Sequence, residues 1–183
     1  MTQVRPMRAD ARRNRERLLA VAAEAFAERG EGASLDDIAR RAGVGVGTLY
    51  RHFPTRQALL EAAYLDRIEA IAARAGKLAA ERAPGEALLE WLAELGAGML
   101  RVRGLKALLG TAVDTACGEC VRGAAGRLVR AAQEEGTLRP DVEPVEVLRL
   151  VHGVVTAAES AAGDGTTDVR RYLSLLMGGL ERR

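Results

Sequence analysis

The stretch from Ser34 to Phe53, S-L-D-D-I-A-R-R-A-G-V-G-V-G-T-L-Y-R-H-F, leaves the chain few ways to fold. Leu35, Ile38, Ala39 and Ala42 recur at i, i+3, i+4 and i+7, the spacing that lines one side of an α-helix. Ser34 stands where a hydroxyl accepts a first-turn N–H, and Asp36 and Asp37 sit at the positive end of the helix dipole. Gly43 follows the last periodic residue, where a left-handed conformation ends a helix at little steric cost. Gly45 frees the backbone a second time. Leu49 and Phe53, four residues apart, mark the inner side of a second helix that opens near Val46. Two short helices joined by a tight turn are a helix-turn-helix, which lays its second helix in a DNA major groove.

The run A-G-V-G-V-G-T-L-Y-R-H-F-P-T-R-Q-A-L-L, Ala42 to Leu60, resembles the TetR family of bacterial transcriptional regulators. The turn glycine, the T-L-Y-x-H-F core, the following proline and the basic residue after it stand at that family's spacing. The resemblance implies that Tyr50 and His52 hydrogen-bond phosphates and that Arg56 binds one. It also implies that the long helix after Pro54 links an effector site to the DNA site. The effector would be a small lipophilic molecule such as a drug, an antibiotic or a fatty-acyl compound. This chain departs from the pattern at Gly45, Val46 and Gly47, where many relatives carry a serine or other polar residue after the A-G-V.

Other contacts follow from the residues themselves. Val46, Gly47 and Thr48 open the second helix, and Val46 and the Thr48 methyl suit thymine methyl groups. Arg51 can read a guanine or hold a phosphate, and Ser34 can assist through its hydroxyl and its helix N-terminus. Charge leans the same way. From Met1 to Arg56, eleven arginines face seven acids, a balance of +4, whereas the remainder carries 16 basic and 18 acidic residues. A positive excess beside such a motif serves phosphate neutralisation, although a solvated surface would also explain it.

Met1 to Ala11 contains Pro6 and shows no clear apolar period, so it reads as a flexible arm whose arginines either track DNA or stay disordered. Residues 12–54 make a three-helix helix-turn-helix domain and residues 55–183 a helical effector-binding and dimerisation domain. Helices are expected over about 12–29, 55–75, 85–103, 105–116, 118–135, 144–162 and 167–181, besides the two of the motif. No alternating period-two stretch occurs, so the fold class is all-α. No run approaches the ~18 apolar residues of a membrane span, and the arginine-dotted start lacks a signal peptide's apolar core. A cytoplasmic location and no membrane partner are therefore expected.

The last two helices carry more apolar surface than one core face needs: Val147, Leu148, Val151, Val154 and Val155, then Val169, Tyr172, Leu173, Leu176, Met177 and Leu180. A homodimer through these helices would bury the second face as a four-helix bundle, which is also what the resemblance implies; a thick monomer core is the alternative. Trp91, Leu95, Met99, Leu109 and Val113 are candidate effector-pocket residues that plain core packing would equally explain. His152, Thr156 and Glu159 form a polar stripe within an apolar helix. Buried polar groups need partners, so the stripe either orients a ligand, links the dimer or faces solvent.

Cys117 and Cys120, in C-G-E-C, suit a redox pair or half a metal site, or simply fill space. No second cysteine pair exists, and His52 and His152 are the only histidines. No nucleophile motif, metal quartet or phosphate loop is found, so no catalytic residue, metal or cofactor is assigned. The reading is a ligand-responsive regulator, most simply a repressor, bound to double-stranded operator DNA and released by a small-molecule effector. A redox- or metal-triggered regulator using Cys117 and Cys120, or an enzyme, are the alternatives.

Overall fold

The computed structural model describes residues 5–102, 105, 106, 108, 109, 116–160 and 165–180, and among them every regular element is helical. Helix α1 spans Arg5–Arg29 and is followed by a 3-10 turn, Gly30–Gly32. Then come α2 (Leu35–Arg41), α3 (Val46–His52) and α4 (Arg56–Glu81). The remaining helices are α5 (Pro84–Arg101), α6 (Ala116–Glu135), α7 (Pro144–Glu159) and α8 (Gly165–Leu180). One expectation is corrected: residues 5–11, read from sequence as part of a flexible arm, belong to α1. Pro6 permits this because it lies in the first turn, where no intrahelical N–H bond is required.

The chain divides into two compact units after Leu65, later than the boundary expected after Pro54. The reason is packing. Leu59, Leu60 and Tyr64 of α4 are buried, and the Tyr64 hydroxyl donates to the Ala23 carbonyl at 2.9 Å, so the first turns of α4 complete the small core. Leu18, Ala22 and Phe26 of α1, Ile38 and Ala39 of α2, and Leu49 of α3 fill the rest of it.

The turn between α2 and α3 closes both helices with backbone alone. Gly43 adopts φ +64° and its N–H donates to the Arg40 carbonyl at 3.1 Å, while the Val44 N–H donates to Ala39 at 2.9 Å. This pairing is the Schellman motif, which satisfies the last carbonyls of α2. Two residues later the Gly45 carbonyl accepts from Thr48 and Leu49 at 2.8 and 3.0 Å and starts α3.

Helix α5 is the axis of the large unit. Ten of its residues, among them Leu88, Trp91, Leu92, Leu95 and Met99, are buried, as expected of a helix that is apolar nearly all round. It packs against α6, α7 and α8. Gly96 permits the closest of these approaches, since a Cβ there would lie 2.7 Å from a Val169 methyl. Leu105, Lys106, Leu108 and Leu109 are helical, as expected, and residues 110–115 lie outside the described residues. Between α6 and α7, Gly136 takes φ +85°, and Gln133 donates to the carbonyls of Arg139 and Val142, both at 3.0 Å.

The outward side of α7 and α8 is partly apolar. Leu175 is 69% exposed and Leu150 37%, while Tyr172, Leu176 and Met177 are half-buried. Gly153, Gly178 and Gly179 have open space where a side chain would stand.

Candidate nucleic-acid interface and ligand cavity

Helix α3 is two-sided. Leu49 is fully buried, whereas Val46 and Tyr50, four residues apart and therefore on one face, are 40% and 45% exposed. Gly47 lies on the exposed side as well, with nothing within 4 Å of an added Cβ. Thr48 is half-buried. The Arg51 guanidinium folds back along its own helix, donating from Nη2 to Thr48 Oγ1 at 3.0 Å and from Nε to the Gly47 carbonyl at 3.3 Å. His52 is exposed, its ring tilted 50° against Phe53. Ser34 Oγ accepts the Asp37 N–H at 3.4 Å, so the expected cap on α2 is formed.

The arginines of the small unit do not all serve its outer face. Arg29 and Arg40 pair with Asp37, and Arg41 with Glu24 at 3.3 Å and Glu28 at 3.7 Å. Arg15 instead lies over the Phe53 ring, 5.9 Å from its centroid. With Asn14 it lines a cavity of about 280 Å³ shared with Gly43, Gly45, Thr48 and His52. Sequence reasoning passed over Asn14 and Arg15. Their signal was present: both lie one turn before buried Leu18 and so face the turn between α2 and α3.

Arg56 makes contacts within the small unit that its spacing after Pro54 does not announce. Its guanidinium is half-buried 4.9 Å above the centre of the Phe26 ring, with Nη1 donating to the Ala33 carbonyl and Nη2 to Gly30 at 2.6 Å. It fastens the 3-10 turn to the start of α4. Two of the five N–H donors of its guanidinium are engaged in this way. We therefore expect Arg56→Ala to lower the stability of the small unit by about 1.5 to 3 kcal/mol, the range for hydrogen bonds to a charged group. Arg56→Lys should recover only part, lacking the planar fork. Thermal unfolding followed by circular dichroism checks this; an unchanged transition would show that these bonds do not hold the small unit together.

In the large unit, α5, α6 and α7 enclose a cavity of about 180 Å³. Leu95, Met99, Leu109 and His152, all expected at an effector site, line it. So do Gly118, Val121 and Arg122 of α6, and Val145, Leu148 and Arg149 of α7. Trp91 is not among its walls: the indole is fully buried in the core and donates to the Ile71 carbonyl at 2.9 Å. Val113 lies outside the described residues. The expected polar stripe separates. Thr156 is exposed, its hydroxyl donating to the His152 carbonyl at 2.9 Å, and Glu159 is exposed and paired with Lys106. The stripe that reaches the cavity runs the other way, through Val145, Leu148, Arg149 and His152 at i, i+3, i+4 and i+7. His152 Nδ1 is buried with no hydrogen-bond partner among the described residues.

Cys117 is buried and Cys120 half-buried one turn later, and no disulfide joins them. Among the described residues no group of three histidine, cysteine or acidic side chains is placed to hold a metal. No helix among them is long and apolar enough to cross a membrane.

Residues 18–63 match the family model described as bacterial regulatory proteins, tetR family, and residues 83–182 match that of the C-terminal domain of SbtR-like transcriptional regulators. A helix-turn-helix-type transcriptional regulator of Staphylococcus aureus is 46% identical over 54 residues. That stretch covers 29% of this chain and only 29% of that relative. Two solved structures align over nearly the whole chain. A TetR transcriptional regulator of Streptomyces coelicolor is 32% identical, with 92% of this chain and 98% of that one covered and a TM-score of 0.57. A TetR transcription regulatory protein of Mycobacterium vanbaalenii is 35% identical, with 96% and 99% covered and a TM-score of 0.53.

Proposed function

Because the chain belongs to the TetR family of bacterial regulatory proteins, we propose that it is a cytoplasmic DNA-binding transcriptional regulator, a repressor released from its operator by a small molecule bound in the α5–α6–α7 cavity. The observation that carries this reading is the outward face of α3. A seven-residue helix that exposes Val46, Gly47 and Tyr50 and anchors itself by Leu49 is built to present side chains to a groove. Val46 and the Thr48 methyl would meet thymine methyls. Tyr50, His52 and Arg15 would reach phosphates, and Arg51, released from Thr48, a guanine edge or a phosphate. Two chains joined through α7 and α8 would place their α3 helices one DNA turn apart, ~34 to 36 Å.

Release requires the effector to bind the DNA-competent and DNA-incompetent states unequally, since equal affinity shifts nothing. Catalysis forms no part of this reading.

Selection of bound sequences from random duplex DNA tests it. The expected product is a palindrome with half-sites about one turn apart. Weak binding that never enriches a sequence would overturn the proposal. On the selected duplex, Arg15→Ala should weaken binding to all sequences alike and reduce the salt slope by about 1. Tyr50→Phe should weaken it without changing that slope. A loss confined to particular base pairs would identify either residue as a base reader instead.

A further inference from the structure

Arg51 holds the outermost side chain of α3. At ~100° of rotation per residue, a position two residues from the buried Leu49 lies ~160° round the helix from it, and those positions are Gly47 and Arg51. Both are exposed. Gly47 has no side chain, so Arg51 supplies the functional groups opposite the anchor. In a helix lying in a major groove that side meets the groove floor, where the base edges are, while the phosphates flank it.

The guanidinium is held by one edge. Nε donates to the Gly47 carbonyl at 3.3 Å and Nη2 to Thr48 Oγ1 at 3.0 Å. Nε–H and the Nη2–H beside it make up one side of the planar fork; the other side, Nη1–H with the second Nη2–H, carries two parallel donors. Those two are left for a ligand. Such a pair matches guanine, the one base that presents two acceptors, O6 and N7, side by side in the major groove. Helix α3 carries no acidic residue, so the charge of Arg51 is not offset within its own helix. A guanidinium already laid along α3 also loses less side-chain freedom on binding than one free in solvent.

We propose that Arg51 reads a guanine with its Nη1–Nη2 edge while still bonded to Gly47 and Thr48, and that Thr48 is the residue that positions it. A phosphate contact at the groove wall needs Arg51 released from Thr48; the guanine contact does not. The inference rests on the reading of α3 as the helix that enters the groove, and it specifies one letter of the operator.

Selection from random duplex DNA with the full chain and with its Arg51→Ala variant, followed by titration of the selected duplex, tests it. The parent should enrich one guanine in each half-site that Arg51→Ala no longer enriches. Replacing that G·C pair by A·T should weaken the parent by about 5- to 150-fold per half-site, the range for a bidentate base contact, and leave Arg51→Ala unaffected. A guanine analogue lacking the N7 acceptor should act in the same direction. Thr48→Val keeps the shape and loses the acceptor, so it should cut the discrimination at that pair by about fivefold or more without changing the salt slope. Thr48→Ser, which keeps the hydroxyl, should retain it. Circular dichroism checks that each variant is folded.

Arg51→Ala weakening all sequences alike, with a salt slope reduced by about 1, would mark a phosphate contact and overturn the proposal. Undiminished discrimination in Thr48→Val would overturn the positioning role. If a palindrome enriches without a guanine that depends on Arg51, the inference fails and the regulator reading stands. If nothing enriches, the regulator reading fails and takes the inference with it.

Discussion

Replacing Trp91 with alanine is expected to destabilise the large unit by about 3 to 5 kcal/mol, the usual cost of removing a buried tryptophan. The indole is fully buried on α5, the helix against which three others pack, and its N–H donates to the Ile71 carbonyl on α4. Alanine would leave a void that the surrounding helices can close only in part. Trp91→Phe should cost less, keeping a ring in place while giving up the donor and some bulk. Denaturant unfolding followed at the helical dichroism band compares the three proteins. A Trp91→Ala variant within about 1 kcal/mol of the parent would show that the site collapses freely, and so that α5 is not the rigid axis described above.

Leu175→Arg should separate the proposed dimer and cost roughly 100-fold or more in operator affinity, because each half-site would lose its linked partner. The side chain is 69% exposed on α8, near Gly178 and Gly179, whose open surroundings leave room for another backbone to approach. A two-fold axis would double every change at such an interface, so one substitution brings two charges into an apolar contact. Leu175→Met should be nearly silent, since it conserves volume and polarity. Sedimentation and operator titration at fixed salt are the measurements. A dimer that survives Leu175→Arg with unchanged DNA affinity would place the interface elsewhere.

The parts of this protein that could be read from sequence are those fixed by neighbours a few residues away. Ser34, Gly43 and Leu49 announced the helix-turn-helix because caps, turns and 3.6-residue periods are local. Pro6 misled, because the same residue that breaks a helix interior is accepted in its first turn. Arg56 was legible only in part. Its spacing after Pro54 was as expected, but what it bonds, the carbonyls of Gly30 and Ala33, lies more than twenty residues away. The α5–α6–α7 cavity was half legible. Leu95, Met99 and His152 stood out as apolar or unusual, yet which side of His152 faced inward depended on how α5, α6 and α7 converge. That convergence turned the polar stripe toward Arg149 and away from Thr156 and Glu159.

The turn from Ala42 to Gly45 also bears on how such a chain can change over generations. Its donors and acceptors are committed at both ends, to α2 through Gly43 and Val44 and to α3 through the Gly45 carbonyl. Deleting one residue there would rotate α3 by ~100° about its axis. Leu49 would swing out of its socket, and Val46 and Tyr50 would turn toward the interior. Under the proposed function, new operator preferences would arise by substitution at the outward positions of α3, one letter at a time, while a gained or lost codon in the turn would displace that face altogether.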